Sequence, residues 1–283
     1  HKVTNIVIEK GVTRIGNYAF WNCEKVTNIS MPEGITSIGK SAFAYMDCMT
    51  SIKFADSITS IEDYAFTHCE KVKEIDLPTR LQTIGQESFS NCYAVTKVTM
   101  HEGLQTIGYD AFYKCTALIG VSMPDTVTTI EWGAFSYCNN LEYARLSDNV
   151  EVLERTFDNC PKLYSVNIPK SIKTLNGTFS QCKNLKGIVL PEGLKTIKNY
   201  TFFNAGLTQL IVPSSVTYIG QWALYGIQGK VAYLNPNCEF YQDRDTVGSA
   251  GKTTVYCYEN STAEEMAYEY GLAVVYITGN NLW

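Results

Sequence analysis

A short phrase, clearest as Ile107-Gly108-Tyr109-Asp110-Ala111-Phe112-Tyr113-Lys114-Cys115, recurs along most of the chain and limits what it can fold into. Its phenylalanines are Phe20, Phe43, Phe66, Phe89, Phe112, Phe135, Phe157, Phe179 and Phe202, with Leu224 in the tenth place. Successive gaps are 23 residues, shortening to 22 at three of the last four steps. A fixed period of this size predicts a stacked solenoid, in which each turn of chain buries its apolar side against its neighbours.

Each coil holds two apolar stretches. The first reads Leu185-Lys186-Gly187-Ile188-Val189-Leu190-Pro191, with counterparts at residues 72–78, 118–124 and 163–169. Alternation at Ile188 and Leu190 predicts a strand with one buried face, and the proline, which cannot donate to a ladder, ends it. A glycine turn such as Pro32-Glu33-Gly34 follows. The second stretch, as in Leu194-Lys195-Thr196-Ile197, predicts a shorter extended segment. The Phe–Cys phrase then closes the coil through a tight bend or a short helical turn. Stacked first stretches would form a parallel sheet with one strand per coil.

The chain is expected to divide into a solenoid of about ten coils over residues 1–228, then a degenerate last coil with a C-terminal cap over 229–283. Within the latter, residues 231–236 read as a weak strand, 242–252 as a loop, 254–258 as a strand and 261–270 as a helix. Ser261 with Glu264 three places later makes a capping box, Gly271 stops the helix, and residues 272–277 read as a last strand. The sequence starts at His1 without an initiator methionine, and Val3 to Ile8 already match the middle of a repeat. A trimmed fragment is expected, with any signal or anchor lying outside it.

Seven of the ten cysteines hold one slot, three places after the phenylalanine: Cys23, Cys69, Cys92, Cys115, Cys138, Cys160 and Cys182. Met46, Ala205 and Ile227 fill the same slot elsewhere, so it is expected to hold small apolar volume with the thiols reduced. Cys48, Cys238 and Cys257 lie outside the ladder, and a Cys238–Cys257 bond is possible. The formal charge of −5, without a basic run, argues against nucleic acid. No stretch approaches the roughly 18 apolar residues that span a bilayer.

The combination Ile-Gly-x-x-Ala-Phe-x-x-Cys and Leu-x-x-Ile-x-Leu-Pro resembles the BspA-like leucine-rich repeats of bacterial surface proteins. Ser261-Thr262-Ala263-Glu264-Glu265, with Tyr270-Gly271-Leu272, is similar to the C-terminal end of that family. The resemblance implies a leucine-rich-repeat solenoid with a parallel sheet on one face and a β-α-β cap. It also implies a secreted or cell-surface location and a role in adhesion to host or microbial surface proteins. No catalytic motif comes with it.

No phosphate loop, nucleophile elbow or zinc signature is present. The histidines are His1, His68 and His101, and His68 occupies a slot that varies between coils. Acidic turn residues Glu33, Asp56, Glu102, Asp125 and Asp148 recur and could line a calcium row, but acids also suit an exposed turn. Glu131 and Glu154 stack at one repeat position, as a glycosidase pair would, or as a solvated pair. A hydroxyl ladder from Ser37 to Thr196 suits an exposed β face.

Recognition is expected on the outward row of the main strands, which varies while the inward row repeats. The candidate ligand-binding residues are Lys53, Glu74, Asp76, Lys97, Thr99, Tyr143, Arg145 and Asn167, with Tyr143 and Arg145 of types enriched in binding hot spots. The functional expectation is a non-enzymatic, monomeric, extracellular or cell-surface scaffold that binds a protein or glycan without cofactor or metal. The alternatives are a structural spacer of a larger surface protein and a carbohydrate-active β-helix enzyme.

Overall fold

In the computed structural model, residues 3–243, 246, 248–249, 251–279 and 282 are described. His1 and parts of the expected 242–252 loop lie outside them. The chain forms two compact units, His1–Val150 and Glu151–Trp283. Both are parallel-strand leucine-rich-repeat solenoids, together counting about 11 turns of roughly 23 residues, and the second ends in a strand–helix–strand element.

In the N-terminal unit the second stretches make a six-stranded parallel sheet from Arg14–Ile15, Ser37–Ile38, Ser60–Ile61, Thr83–Ile84, Thr106–Ile107 and Thr129–Ile130. Their isoleucines stand opposite one another, Ile15 on Ile38 and Ile84 on Ile107. The first stretches pair Asn28–Ser30 with Ser51–Lys53, and join Glu74–Asp76, Lys97–Thr99, Gly120–Ser122 and Tyr143–Arg145 in sequence order. The middle residue of most, such as Ile29, Ile75 or Val121, faces inward and is buried, while Ile52 is half-buried. Residues 3–8, expected at a strand position, join no ladder, and Val7 is exposed.

Between the two sheets run the phenylalanines. From Phe20 to Phe135 consecutive rings lie 5.1 to 5.4 Å apart, with Phe43 to Phe135 fully buried. Of the two expected alternatives, the phrase around each ring is the tight bend and not a helical turn. Residues two before and two after the phenylalanine are left-handed: Tyr18 and Asn22 around Phe20, Tyr64 and His68 around Phe66. Such conformations cost non-glycine residues about 1 kcal/mol or more each. Cross-coil bonding offsets that cost. The N–H groups of Tyr18, Phe20 and Asn22 donate to the carbonyls of Lys40, Ala42 and Ala44 one coil on, while Ala19, Trp21 and Cys23 close tight turns onto residues three back.

The cysteine slot does more than fill space. Cys69, Cys92, Cys115 and Cys138 donate their thiols at 3.2 to 3.3 Å to the carbonyls of Phe43, Phe66, Phe89 and Phe112, one coil earlier. Burial pushes the Cys69, Cys92 and Cys115 thiols up, Cys92 to about 12, so they stay protonated donors. Met46, Ala205 and Ile227 are buried in the same slot, as the apolar reading required. All ten cysteines are free, including Cys238 and Cys257, so the possible bond between those two is not formed.

In the C-terminal unit Val152–Glu154, Thr174–Asn176, Thr196–Ile197, Tyr218–Ile219 and Glu239–Phe240 form one parallel sheet. Gln209–Val212, Gly229–Tyr233, Thr253–Cys257 and Ala273–Tyr276 form another. Residues 185–190, whose alternation predicts a strand, do not make one. Leu190 is buried, but Ile188 is only half-buried and Val189 is 86% exposed. Gly187 supplies no side chain to pack and weakens a strand interior. The adjoining coils have also lost a residue, one before Phe179 and another between Ala205 and Leu207.

The helix Thr262–Glu269 begins at Ser261, whose hydroxyl accepts the Glu264 N–H, and Glu264 in turn accepts the Asn260 N–H. Gly271, left-handed at φ 71°, terminates it, and Ala263, Met266 and Ala267 are buried. The cap therefore follows its sequence signals closely.

Candidate functional site

Strand alternation sends every second side chain of the main sheet outward. In the N-terminal unit this places Glu74 beside Lys97, Lys97 beside Gly120 and Gly120 beside Tyr143. The parallel row sets Asp76 beside Thr99 and Ser122 beside Arg145. A depression of about 530 Å³ opens over these rows, lined by Lys97, Thr99, His101, Glu102, Ser122, Tyr143 and Arg145 among others.

The two anchor side chains are fixed by their surroundings. Tyr143 lies across Gly120, where a methyl group would come within 2.1 Å of the ring. Its residence there depends on the missing side chain. Arg145 donates to the Met123 carbonyl at 2.9 Å and pairs with Asp125 at 3.3 Å, which holds its guanidinium plane. His101 Nε2 lies 2.8 Å from Asp76 Oδ1, tying the row of Asp76 to the turn after the next strand. A braced guanidinium, a half-exposed phenol and a nearby ammonium can hold carboxylates, hydroxyls and aromatic or sugar faces.

Of the eight candidate residues, Lys97, Thr99, Tyr143 and Arg145 line the depression, and Asp76 reaches it through His101. Glu74 stands in the same outward row as Lys97, while Lys53 belongs to the pair with Asn28–Ser30, opposite Ser30. Asn167 lies in the C-terminal unit and lines a different depression. Gly120, Ser122, His101 and Glu102 also line the depression; the sequence places Gly120 and Ser122 in the outward rows and Glu102 among the acidic turns, but not among the candidate binding residues. The one available signal was a glycine at the slot directly preceding Tyr143 in the repeat.

The other candidate constellations have structural employment. Glu33 accepts the backbone N–H groups of Asp56 and Ser57, and Asp56 accepts the N–H and hydroxyl of Thr79. Glu33 and Asp56 thus cap the next coil's turn, and Asp125 pairs with Arg145. Among the described residues no group of three or more His, Cys, Asp or Glu side chains is placed to hold a metal ion. Glu131 accepts the Tyr109 N–H and Glu154 the Asn176 amide. His68 stacks on Tyr45 at 4.8 Å and 9°, in an edge-outward aromatic row that Trp21 joins. Asp110 stands apart: its Oδ1 is buried without a partner, and burial, with Glu87 nearby, pushes its carboxyl up to about 7.

Comparison with known proteins agrees with this architecture. A leucine-rich repeat protein from Bacteroides ovatus superposes with a TM-score of 0.70 at 24% identity, over 96% of this chain and 67% of that one. The pneumococcal vaccine antigen PcpA gives 0.58 at 19% identity, over 98% and 88%. A leucine-rich repeat protein from Eubacterium ventriosum gives 0.50 at 21%, over 75% and 79%. No curated protein matches significantly in sequence. Among the described residues no helix is long and apolar enough to cross a membrane. The pattern of the BspA type leucine rich repeat region matches residues 1–119 and 105–230, and the chain belongs to that family.

Proposed function

We propose that this chain is a non-catalytic binding scaffold of a secreted or surface-borne protein, acting as a monomer. It would hold a protein or glycan of a host or microbial surface against the main-sheet face of its N-terminal unit. The observation that carries this reading is the pairing of Tyr143, seated over Gly120, with Arg145, braced on Met123 and Asp125. Anchors held in place before contact lose little entropy on binding, which is what a recognition surface needs. The family supports the location, since its members are known chiefly as surface proteins. The engagement of Glu131 and Glu154 as hydrogen-bond acceptors weighs against a glycosidase.

The test is attachment of the purified protein to arrays of host and microbial surface proteins and glycans. Replacing Tyr143 and Arg145 together by Ala should lower attachment by about tenfold or more, and leave thermal stability within about 0.5 kcal/mol. Unchanged attachment would remove this face as the binding surface.

A further inference from the structure

The C-terminal unit carries a second depression, of about 1090 Å³, built where its main sheet fails to close. Its floor is the stretch Gly187, Ile188 and Val189, flanked by Ser165 and Val166 on one coil and by Gln209 to Ile211 on the next. The backbone N–H and C=O groups of residues 187–189 join neither neighbour: no ladder includes them, although Thr208 still bonds to Lys186 just before. Main-chain groups of this kind are held by water and are free to exchange it for another backbone. Around them the surface is apolar, with Val189 86% and Tyr164 57% exposed and Ile211 half-buried.

Charge gives the depression a sign. Although the chain is net acidic, the stretch from Asn159 to Cys238 holds eight lysines and one acidic residue, Glu192. Lys170 and Glu192 line the depression, Lys186 directly precedes its floor, and Lys162 lies two places before Tyr164, so three lysines face one acid around it. All three are exposed, and none takes part in an ion pair among the described residues. A sulfated glycan would meet the lysines but offers nothing to cover Val189 and Ile211. A polypeptide offers charge, aliphatic side chains and a backbone together.

We propose that this depression receives an extended acidic segment of a partner protein. Its aliphatic side chains would lie on Val189 and Ile211, its carboxylates beside Lys170 and Lys186, and its backbone on residues 187–189. This site is independent of the N-terminal face.

The probe is a fluorescein-labelled peptide of about eight residues alternating valine with glutamate or aspartate, titrated with the protein and followed by anisotropy. Controls are the valine–lysine and glycine–glutamate counterparts and a heparin-type oligosaccharide as competitor. The valine–acid peptide should bind at least about tenfold tighter than either counterpart. Val189→Glu, a change at a side chain that packs on little, should weaken it by about tenfold. Lys170→Glu with Lys186→Glu should weaken it by about fivefold or more and flatten its salt dependence. The double alanine variant at Tyr143 and Arg145 should bind it unchanged, which separates failure here from failure of the N-terminal face. Equal binding of the lysine or the glycine counterpart, binding of the oligosaccharide alone, or indifference to Val189→Glu would each overturn the proposal.

Discussion

The N-terminal unit keeps a strict 23-residue period between its phenylalanines, whereas the C-terminal unit mixes 22 and 23. In the first, aromatic rings stack at 5.1 to 5.4 Å; in the second, Phe157, Phe179 and Phe202 stand 6.0 and 5.6 Å apart. The first joins four main strands in unbroken succession, and the second opens its sheet at residues 187–189. Their charge differs as well. The N-terminal unit has 12 basic and 17 acidic residues, the C-terminal unit 11 of each, with eight of its lysines gathered between Asp158 and Glu239. A repeat tolerates the loss of one residue per coil, because the aromatic stack and the second-stretch ladder persist. In this unit the main sheet opens at residues 187–189, which leaves backbone exposed, although a break also falls between Ser51–Lys53 and Glu74–Asp76 in the unit of strict period.

The largest expected effect tests the two stacks against each other. Phe112→Ala should cost about 3–5 kcal/mol in urea or thermal unfolding, with Phe179→Ala at the lower end of that range. Equal costs would show that the wider spacing reflects no looser packing.

Asp110 comes next, in the N-terminal unit alone. Its carboxyl is raised in the fold from its ordinary 3.8 to about 7, so the folded unit binds more protons than the unfolded chain between those values. Stability should therefore fall as pH rises through that window and level off above it. Asp110→Asn should remove this slope and stabilise the unit by about 1–3 kcal/mol at pH 8, the scale of an unpaired buried acceptor. Denaturation midpoints from pH 4 to 8 check it, and an unaltered slope would assign the pH dependence to other groups.

A smaller effect is expected at the thiol ladder. Cys115→Ala loses the bond to the Phe89 carbonyl and should cost about 1 kcal/mol. The smallest lies on the surface. Gly120→Ala should change stability by about 0.5 kcal/mol or less while displacing Tyr143, and attachment should fall as in the Tyr143 and Arg145 double variant.

Much of this architecture was legible in the residues. The Phe and Cys slots, the inward Ile of each second stretch and the Ser261–Glu264 helix start all rest on periodicity or local chemistry, and each stands where its pattern indicates. The left-handed pairs flanking each phenylalanine, and Leu224 in the same slot, were only faintly legible: Asn recurs at four of these positions and Gly at three, but Tyr, Glu, Lys and Trp hold others. Cross-coil bonds, which no single coil displays, impose the conformation. Residues 185–191 carry a clear strand pattern, yet alternation reports which side chains would be buried and says nothing of whether neighbouring coils come into register. The candidate face was half legible for a related reason. Outward positions could be counted from the sequence, but the seating of Tyr143 on Gly120 depends on two residues 23 apart.

The bend around each phenylalanine has a direction. Its bonds between bends run one way: the N–H groups of Tyr18, Phe20 and Asn22 donate to the following coil, and the carbonyls of Lys40, Ala42 and Ala44 accept from the preceding one. Each bend thus has one donor edge and one acceptor edge, and bends of this kind join only head to tail. Duplicating or deleting one whole coil leaves every junction chemically matched. Gaining or losing a few residues within a coil leaves the junctions intact but changes the strand register beside them. A chain built this way can change its length during evolution without relearning how to fold, and its variation would collect on the strand face.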